Sequence, residues 1–223
     1  MARVPRSVLS TAVAAVLVLV GCLVAAYLLR PAAPGSAGGP STGDDALRCG
    51  SEACRAVVRA DVGADSVELV VGGGVGRIRI GGPGGPNVVE STVVDSGAQV
   101  DGQSLECVSS KVSVCLVRGK SGDEVLGEVL VGRDGTWTRV QTRYLATGGY
   151  LGLHDVDGDA VADVVAVQLD CDQDVCGKVH AQVFSFTGGK EPLGCTAPVG
   201  TAEQLPGWPA VAPATADLSP CGA

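Results

Sequence analysis

The chain contains few aromatic residues, few histidines and no catalytic sequence motif. Aromatic residues make up 3% of its 223 residues, and only two histidines are present, His154 and His180. The sequence contains no H-E-x-x-H metalloprotease motif, no G-x-S-x-G nucleophile elbow and no P-loop. We therefore predict that the protein is not an enzyme. One alternative stays open, an extracytoplasmic hydrolase with carboxylate chemistry, because paired catalytic carboxylates can come from distant strands and leave no local motif.

The chain also lacks the positive charge that a nucleic-acid-binding surface needs. Its formal net charge is -8. All 24 acidic residues follow position 31, whereas three of the 16 basic residues, Arg3, Arg6 and Arg30, precede it, which leaves a net charge of -11 in the later part. Such a surface repels a polyanion. We expect no nucleic-acid partner.

Charge is absent altogether from residues 8–29, a mostly apolar stretch of 22 residues. As a helix it is long enough to cross a hydrocarbon core of about 30 Å. Because Arg3 and Arg6 precede it and only Arg30 follows, we expect residues 1–30 to be a cytoplasmic tip and a transmembrane anchor, with the rest outside the cell. Two alternatives stay open: "LVGC" resembles a bacterial lipobox that lipidates Cys22, or the segment is a cleaved signal peptide of a secreted protein.

Two further regions follow the predicted anchor. Residues 31–47 are rich in Pro, Gly, Ser and Ala, which predicts a flexible linker. Residues 48–223 form the predicted folded body, which ends in a Pro/Ala-rich tail, residues 197–223. The bias toward Ala, Gly, Val and Arg is typical of a high-GC bacterium, and we expect an actinobacterial envelope protein.

Cysteines indicate the compartment of the body. Eight of the nine lie there, and an even number outside a membrane predicts a disulfide framework in an oxidising environment. Sequence alone does not fix the connectivity. Local spacing favours Cys49–Cys54, Cys107–Cys115 and Cys171–Cys176, which leaves Cys195–Cys221 to tie down the tail. A zinc site is not expected, because no C-x-x-C pair occurs and the two histidines lie elsewhere.

Periodicity predicts a mainly β body of antiparallel hairpins. The following stretches alternate or are β-branched, and many end at glycine: RAVVRADVG, DSVELVVGG, GRIRIGG, KVSVCLVRG, EVLGEVLVG, TWTRVQTRYL, DVVAVQLD and KVHAQVFSF. Residues 82–99 are predicted to add a turn and another strand, with no helix.

A weak internal repeat adds to this prediction. The segment from Val114 aligns with that from Val165 at an offset of 51, and more loosely with that from Val57. Such periods suit β-propeller blades, although any two hairpins of small β-branched residues align about as well. The body has room for about three blades, below the usual minimum of about four, so we expect an incomplete propeller or a sandwich- or barrel-like arrangement.

Four aspartates cluster in "HDVDGDAVADVVAV", which begins at His154: Asp155, Asp157, Asp159 and Asp163. Carboxylates from alternate residues of a short loop can meet at one centre, and Ca²⁺ takes about six to eight oxygen ligands. The pattern resembles the D-x-D-G-D-G-x-x-D loop of FG-GAP and VCBS repeats, the calcium-binding hairpins of integrin-type propeller blades, and the likeness extends over residues 149–189.

The resemblance implies a calcium turn at residues 155–163, with the four aspartate side chains and the backbone carbonyl of Val161 as ligands. Ala160 stands where the family has glycine, so a left-handed backbone there would cost about 1 kcal/mol or more and weaken calcium binding. The competing interpretation is a solvated acidic turn that merely starts a strand.

A second acidic set, Asp170, Asp172 and Asp174, has the D-x-D-x-D spacing but lacks the later carboxylate. We predict that it is an exposed hairpin tip closed by Cys171 and Cys176. The function expected from the whole sequence is a membrane-anchored extracytoplasmic domain that binds a partner or has a structural role, with a structural calcium ion. The partner would be an envelope protein or a glycan, which the sequence does not identify.

Overall fold

The computed structural model describes residues 48–172, 175–186 and 192–222, all within one compact unit, residues 43–223. The predicted anchor, Cys22 and the whole predicted linker, residues 31–47, lie outside the described residues. Among the described residues, no helix has the length and apolar character needed to cross a membrane.

Strands dominate the described structure, and they form three antiparallel sheets in chain order. The first sheet has the order β3 (Arg55–Val62), β4 (Asp65–Gly72), β5 (Val75–Gly81) and β6 (Asn87–Glu90). A small hairpin, β1 (Arg48–Cys49) with β2 (Glu52–Ala53), precedes it. The mainly β, antiparallel fold predicted from periodicity is therefore confirmed.

The second and third sheets repeat this up-and-down order. The second contains β7 (Leu105–Val108), β8 (Ser113–Ser121), β9 (Glu124–Arg133) and β10 (Thr136–Arg139), and β11 (Tyr144–Ala146) also pairs with β9. The third contains β12 (Leu151–His154), β13 (Asp163–Asp172), β14 (Val175–Phe184) and β15 (Gly194–Cys195). The stretch TWTRVQTRYL, predicted as one strand, is thus divided into β10 and β11.

The internal repeat agrees with this order in part. The segments from Val114 and Val165 begin in β8 and β13, each the second strand of its sheet. The looser copy from Val57 begins in β3, which is the first strand of its sheet. The third copy is therefore out of structural register by one strand.

The apolar runs of the second and third sheets are buried on both faces. In β8, Val114 and Leu116 pack in a core shared with the third sheet, whereas Cys115 and Val117 pack in a core shared with the first. Successive side chains of a strand point to opposite faces, so one strand contributes to two cores. In β13, Val164 and Ala166 face the second sheet, while Val165 and Val167 pack with tail residues Leu205 and Val211.

One short helix, α1 (Thr92–Asp95), contradicts the prediction that residues 82–99 contain no helix. Ser91 caps it by accepting a hydrogen bond from the Val94 amide at 3.4 Å. The carboxylate of Glu128, 1% exposed, holds the helix start: it accepts from the Ser91 hydroxyl at 2.6 Å and from the Thr92 amide and hydroxyl at 3.1 and 2.8 Å. This contact is made by a residue distant in sequence, so local propensity did not predict it.

All four predicted disulfides are present: Cys49–Cys54, Cys107–Cys115, Cys171–Cys176 and Cys195–Cys221. The second and third join residues that are direct partners on adjacent strands. The fourth holds the tail to β15, where the backbones of Cys195 and Ser219 also exchange two hydrogen bonds at 2.8 and 2.9 Å.

Candidate metal site

The aspartates of the predicted calcium loop lie in the connection between β12 and β13, which we call the acidic turn (residues 155–163). Ligand oxygens of Asp155, Asp157 and Asp159 all lie within 4.8 Å of one another. The first two side chains are exposed and the third is half-buried. Three like charges at such distances repel each other, so the arrangement favours a neighbouring cation.

These three carboxylates also shape the backbone of the turn. Asp155 accepts hydrogen bonds from the amides of Gly158 at 2.9 Å and Ala160 at 3.1 Å. Asp157 and Asp159 each use Oδ1 to accept from the amide two residues ahead, at 3.1 and 2.8 Å. Within the described part of the chain, no hydrogen bond engages the Oδ2 atom of either residue, so both atoms are available as ligands.

Two residues of the turn have a left-handed backbone, Gly158 with φ 76° and Ala160 with φ 64°. Glycine adopts this conformation freely, whereas an alanine carries a cost of about 1–2 kcal/mol. The strain expected at the sixth position of the loop is therefore present. The Ala160 carbonyl accepts a hydrogen bond from the Ser110 hydroxyl at 2.7 Å.

Asp163, the fourth predicted ligand, is only 1% exposed and does not belong to the group of three. Its Oδ2 accepts from the Val156 amide at 2.9 Å, while Oδ1 is buried without a hydrogen-bond partner. Burial raises the pKa of this carboxyl group above its usual 3.8, the charges of Asp157 and Asp159 raise it further, and the Val156 amide and the Ser185 hydroxyl lower it. A buried carboxylate oxygen without a donor is a group that a cation or water would satisfy.

Val161, predicted to supply its backbone carbonyl, places its side chain in the core between the second and third sheets, where it is 4% exposed. The start of the turn is held elsewhere. The carbonyl of Val156 accepts a hydrogen bond from the hydroxyl of Thr215 in the tail at 2.9 Å. Ser110 and Thr215 were not singled out from sequence, because nothing in the local pattern marks a contact 50 or 59 residues away.

Of the second acidic set, Asp170 is exposed and lies near the end of β13, where the β13–β14 hairpin was predicted to be closed by Cys171 and Cys176. Cys171 and Cys176 are paired across the two strands and disulfide-bonded, and Asp170 stands opposite Lys178. Asp174 and the side chain of Asp172 lie outside the described residues.

A cleft of about 360 Å³ opens between the end of β14 and the β10–β11 connection. Tyr144 and Phe184 meet there edge to face, with ring centroids 5.3 Å apart. Arginine, amide and hydroxyl side chains complete its lining, among them Arg133, Arg139 and Gln141. Sequence analysis did not predict this cleft, because its walls come from two different sheets.

Fold and site together define a disulfide-bonded, mainly antiparallel β domain of three stacked sheets, with an acidic turn on the third. Comparisons with family models, curated proteins and solved structures found no match.

Proposed function

We propose that the protein is a membrane-anchored extracytoplasmic domain with a binding or structural role, in which a structural calcium ion holds the acidic turn. The observation that carries the calcium proposal is the convergence of Asp155, Asp157 and Asp159 within 4.8 Å. The Oδ1 atom of Asp163, which is buried and accepts no hydrogen bond of good geometry among the described residues, adds to this support.

The chemistry of the donor set favours calcium over other ions. Carboxylates, a backbone carbonyl and water are hard oxygen ligands, and Ca²⁺ accepts irregular sets of about six to eight of them, whereas Mg²⁺ demands near-octahedral geometry and keeps its water. No salt bridge in the described part of the chain engages any of the four aspartates, so no basic side chain offsets their charge. The exposed side chains of Asp155 and Asp157 leave room for water ligands.

The likeness to calcium-binding propeller repeats gains support from the layout of the sheets. Three consecutive antiparallel sheets of four, five and four strands pack face to face, as propeller blades do, and the acidic turn links two adjacent strands of the third. We propose that the protein forms an incomplete propeller of three blade-like sheets. In this arrangement the tail, which packs against Val165 and Val167 of β13, covers the face that a further blade would otherwise cover.

The anchor and the partner complete the proposal. Four disulfides fit an oxidising compartment outside the cytoplasm. Attachment would use residues 8–29 as a membrane helix or, as the alternative, a lipidated Cys22. We propose the cleft with Tyr144, Phe184 and its arginines as the place where an envelope protein or glycan docks. Absence of enzyme activity stays a prediction. Glu128 lines a neighbouring pocket that shares Arg139 with this cleft, and its carboxylate already accepts hydrogen bonds from Ser91 and Thr92 at the start of α1.

Calorimetric titration of the full-length protein in detergent tests the calcium site. At a calcium concentration about 100 times Kd, binding should raise the free energy of unfolding by about 2.7 kcal/mol, or the Tm by about 5–10 °C. Asp157→Ala should abolish the heat of binding and the Tm shift. Asp170→Ala, at the acidic hairpin tip, is the matched control and should keep both. A wild-type protein without either response, or an unchanged response in Asp157→Ala, would contradict the proposal.

A further inference from the structure

We propose that Ser110 and Thr215 are positioning residues of the acidic turn, which fasten its end to the second sheet and its start to the tail. Calcium binding is then coupled to the docking of both elements against the third sheet. This inference rests on the calcium site proposed above, and it names residues and a consequence that the calcium loop itself does not contain.

The first of these contacts is made by Ser110 in the β7–β8 loop. The Ser110 hydroxyl is 2.7 Å from the carbonyl of Ala160 and 3.2 Å from the carbonyl of Val112 in its own loop. The Cys107–Cys115 disulfide closes the hairpin that carries this loop. Ser110 therefore contacts the acidic turn from a loop of a different sheet, and the disulfide restricts the motion of that loop.

The backbone conformation of Ala160 is unfavourable, so contacts from outside the turn are required to stabilise it. With φ at 64° it occupies the left-handed region that alanine disfavours. The two residues after it, Val161 and Ala162, are buried in the core between the second and third sheets, with Val108 and Val112 packed against the same core. The hydroxyl of Ser110 and these apolar contacts together hold the end of the turn in the shape that directs its carboxylates.

The second contact is made by Thr215 in the tail. The Thr215 hydroxyl donates to the Val156 carbonyl at 2.9 Å, and the amide of the same valine donates to the carboxylate of Asp163. Val156 is 7% exposed and packs with tail residues Leu205 and Val211. The peptide groups on both sides of Val156 are thus fixed, one by the tail and one by the predicted fourth ligand.

Both contacts are already present in the folded protein, so they restrict the turn before calcium binds. The turn then loses less conformational entropy on binding calcium. Coupling of this kind is reciprocal: if the contacts favour calcium, calcium must favour the contacts. Occupation of the turn should therefore reduce the motion of the β7–β8 loop and of the tail.

Calcium titration of full-length variants measures the first half of this coupling. Ser110→Ala and Thr215→Val each remove one hydroxyl, and each should raise the Kd for Ca²⁺ about two- to fivefold, as expected for one exposed or half-buried hydrogen bond. Ser110→Thr keeps the hydroxyl and should keep the wild-type Kd. Ser109→Ala, in the same loop, is the matched control and should also leave the Kd unchanged.

Hydrogen exchange measures the reciprocal half. Calcium should slow amide exchange in residues 109–114 and 211–218 of the wild type; the first effect should disappear in Ser110→Ala and the second in Thr215→Val. Wild-type Kd values in both variants, or exchange that calcium slows only within residues 155–163, would overturn the coupling while leaving the calcium site intact. A wild type that binds no calcium would overturn the site itself.

Discussion

Replacement of Ala160 by glycine should stabilise the protein. Ala160 is exposed and has φ 64°, so its methyl group contributes no buried surface but disfavours the backbone it occupies. Its amide and carbonyl make the hydrogen bonds to Asp155 and Ser110, and glycine retains both of these groups. The substitution therefore removes strain without removing a contact.

The magnitude follows from two opposing terms. Relief of the left-handed conformation is worth about 1–2 kcal/mol. Glycine loses more backbone freedom on folding, which costs about 0.5–1 kcal/mol relative to alanine. We expect a net increase of about 0.5–1 kcal/mol in the free energy of unfolding, which corresponds to a rise in Tm of about 1–4 °C for a domain of this size.

Urea denaturation with EGTA present tests this expectation, with an unchanged m-value as the sign that only stability has moved. The matched control is Asp134→Gly. Asp134, at φ 51° in the β9–β10 turn, is the other non-glycine residue with positive φ among those described. Aspartate tolerates this region better than alanine, so the control should change stability less than Ala160→Gly. A loss of stability in Ala160→Gly, or equal gains in the two variants, would refute the strain argument.

Two further measurements address the tail and the buried tyrosine. Replacing the Cys195–Cys221 pair by serines should lower the free energy of unfolding by about 3.5 kcal/mol, against about 2 kcal/mol for Cys171–Cys176, because the sequence separations are 26 and 5; equal losses in urea denaturation would contradict this reasoning. Burial raises the pKa of Tyr144 from 10.0 to about 12, so the stability linked to its neutral form is full below pH 10 and is lost as the pH rises toward 12. Over that interval the wild type should lose up to about 1.4 kcal/mol per pH unit more than Tyr144→Phe, and parallel pH profiles would show that the phenol is not buried.

The strands and disulfides were predictable because their signals are local. Alternation and β-branched runs lie within each strand, and three of the disulfides join cysteines only five to eight residues apart. The fourth, Cys195–Cys221, followed once the other six cysteines were assigned. The helix α1 was missed for the opposite reason, since the buried carboxylate of Glu128 that holds it is 36 residues from Thr92.

In the candidate site, too, the local features were predictable and the long-range contacts were not. The spacing of the aspartates predicted a group of four, of which Asp155, Asp157 and Asp159 converge, and this convergence is a property of the loop itself. The burial of Asp163 and the contacts of the turn with Ser110 and Thr215 depend on how the sheets and the tail stack. No residue pattern within the loop contains that information.

The first and third sheets differ in the polarity of their two faces. In β5, "RIRI" alternates: Ile78 and Ile80 are buried against the second sheet, while Arg79 on the other face lies 3.7 Å from Glu68 of β4. This face of the first sheet is therefore polar, with Glu68 and Arg79 as direct partners across β4 and β5. The run "VVAV" in β13 has no such polar face and requires a cover on both sides.

The second sheet supplies one of these covers, and the tail supplies the other. From its composition, the Pro/Ala-rich tail was predicted to be held to the body only by the disulfide of its terminal cysteine. Yet Leu205 and Val211 pack against Val165 and Val167, so the tail is held by burial as well as by the disulfide. The tail is therefore the cover that the second face of the third sheet needs.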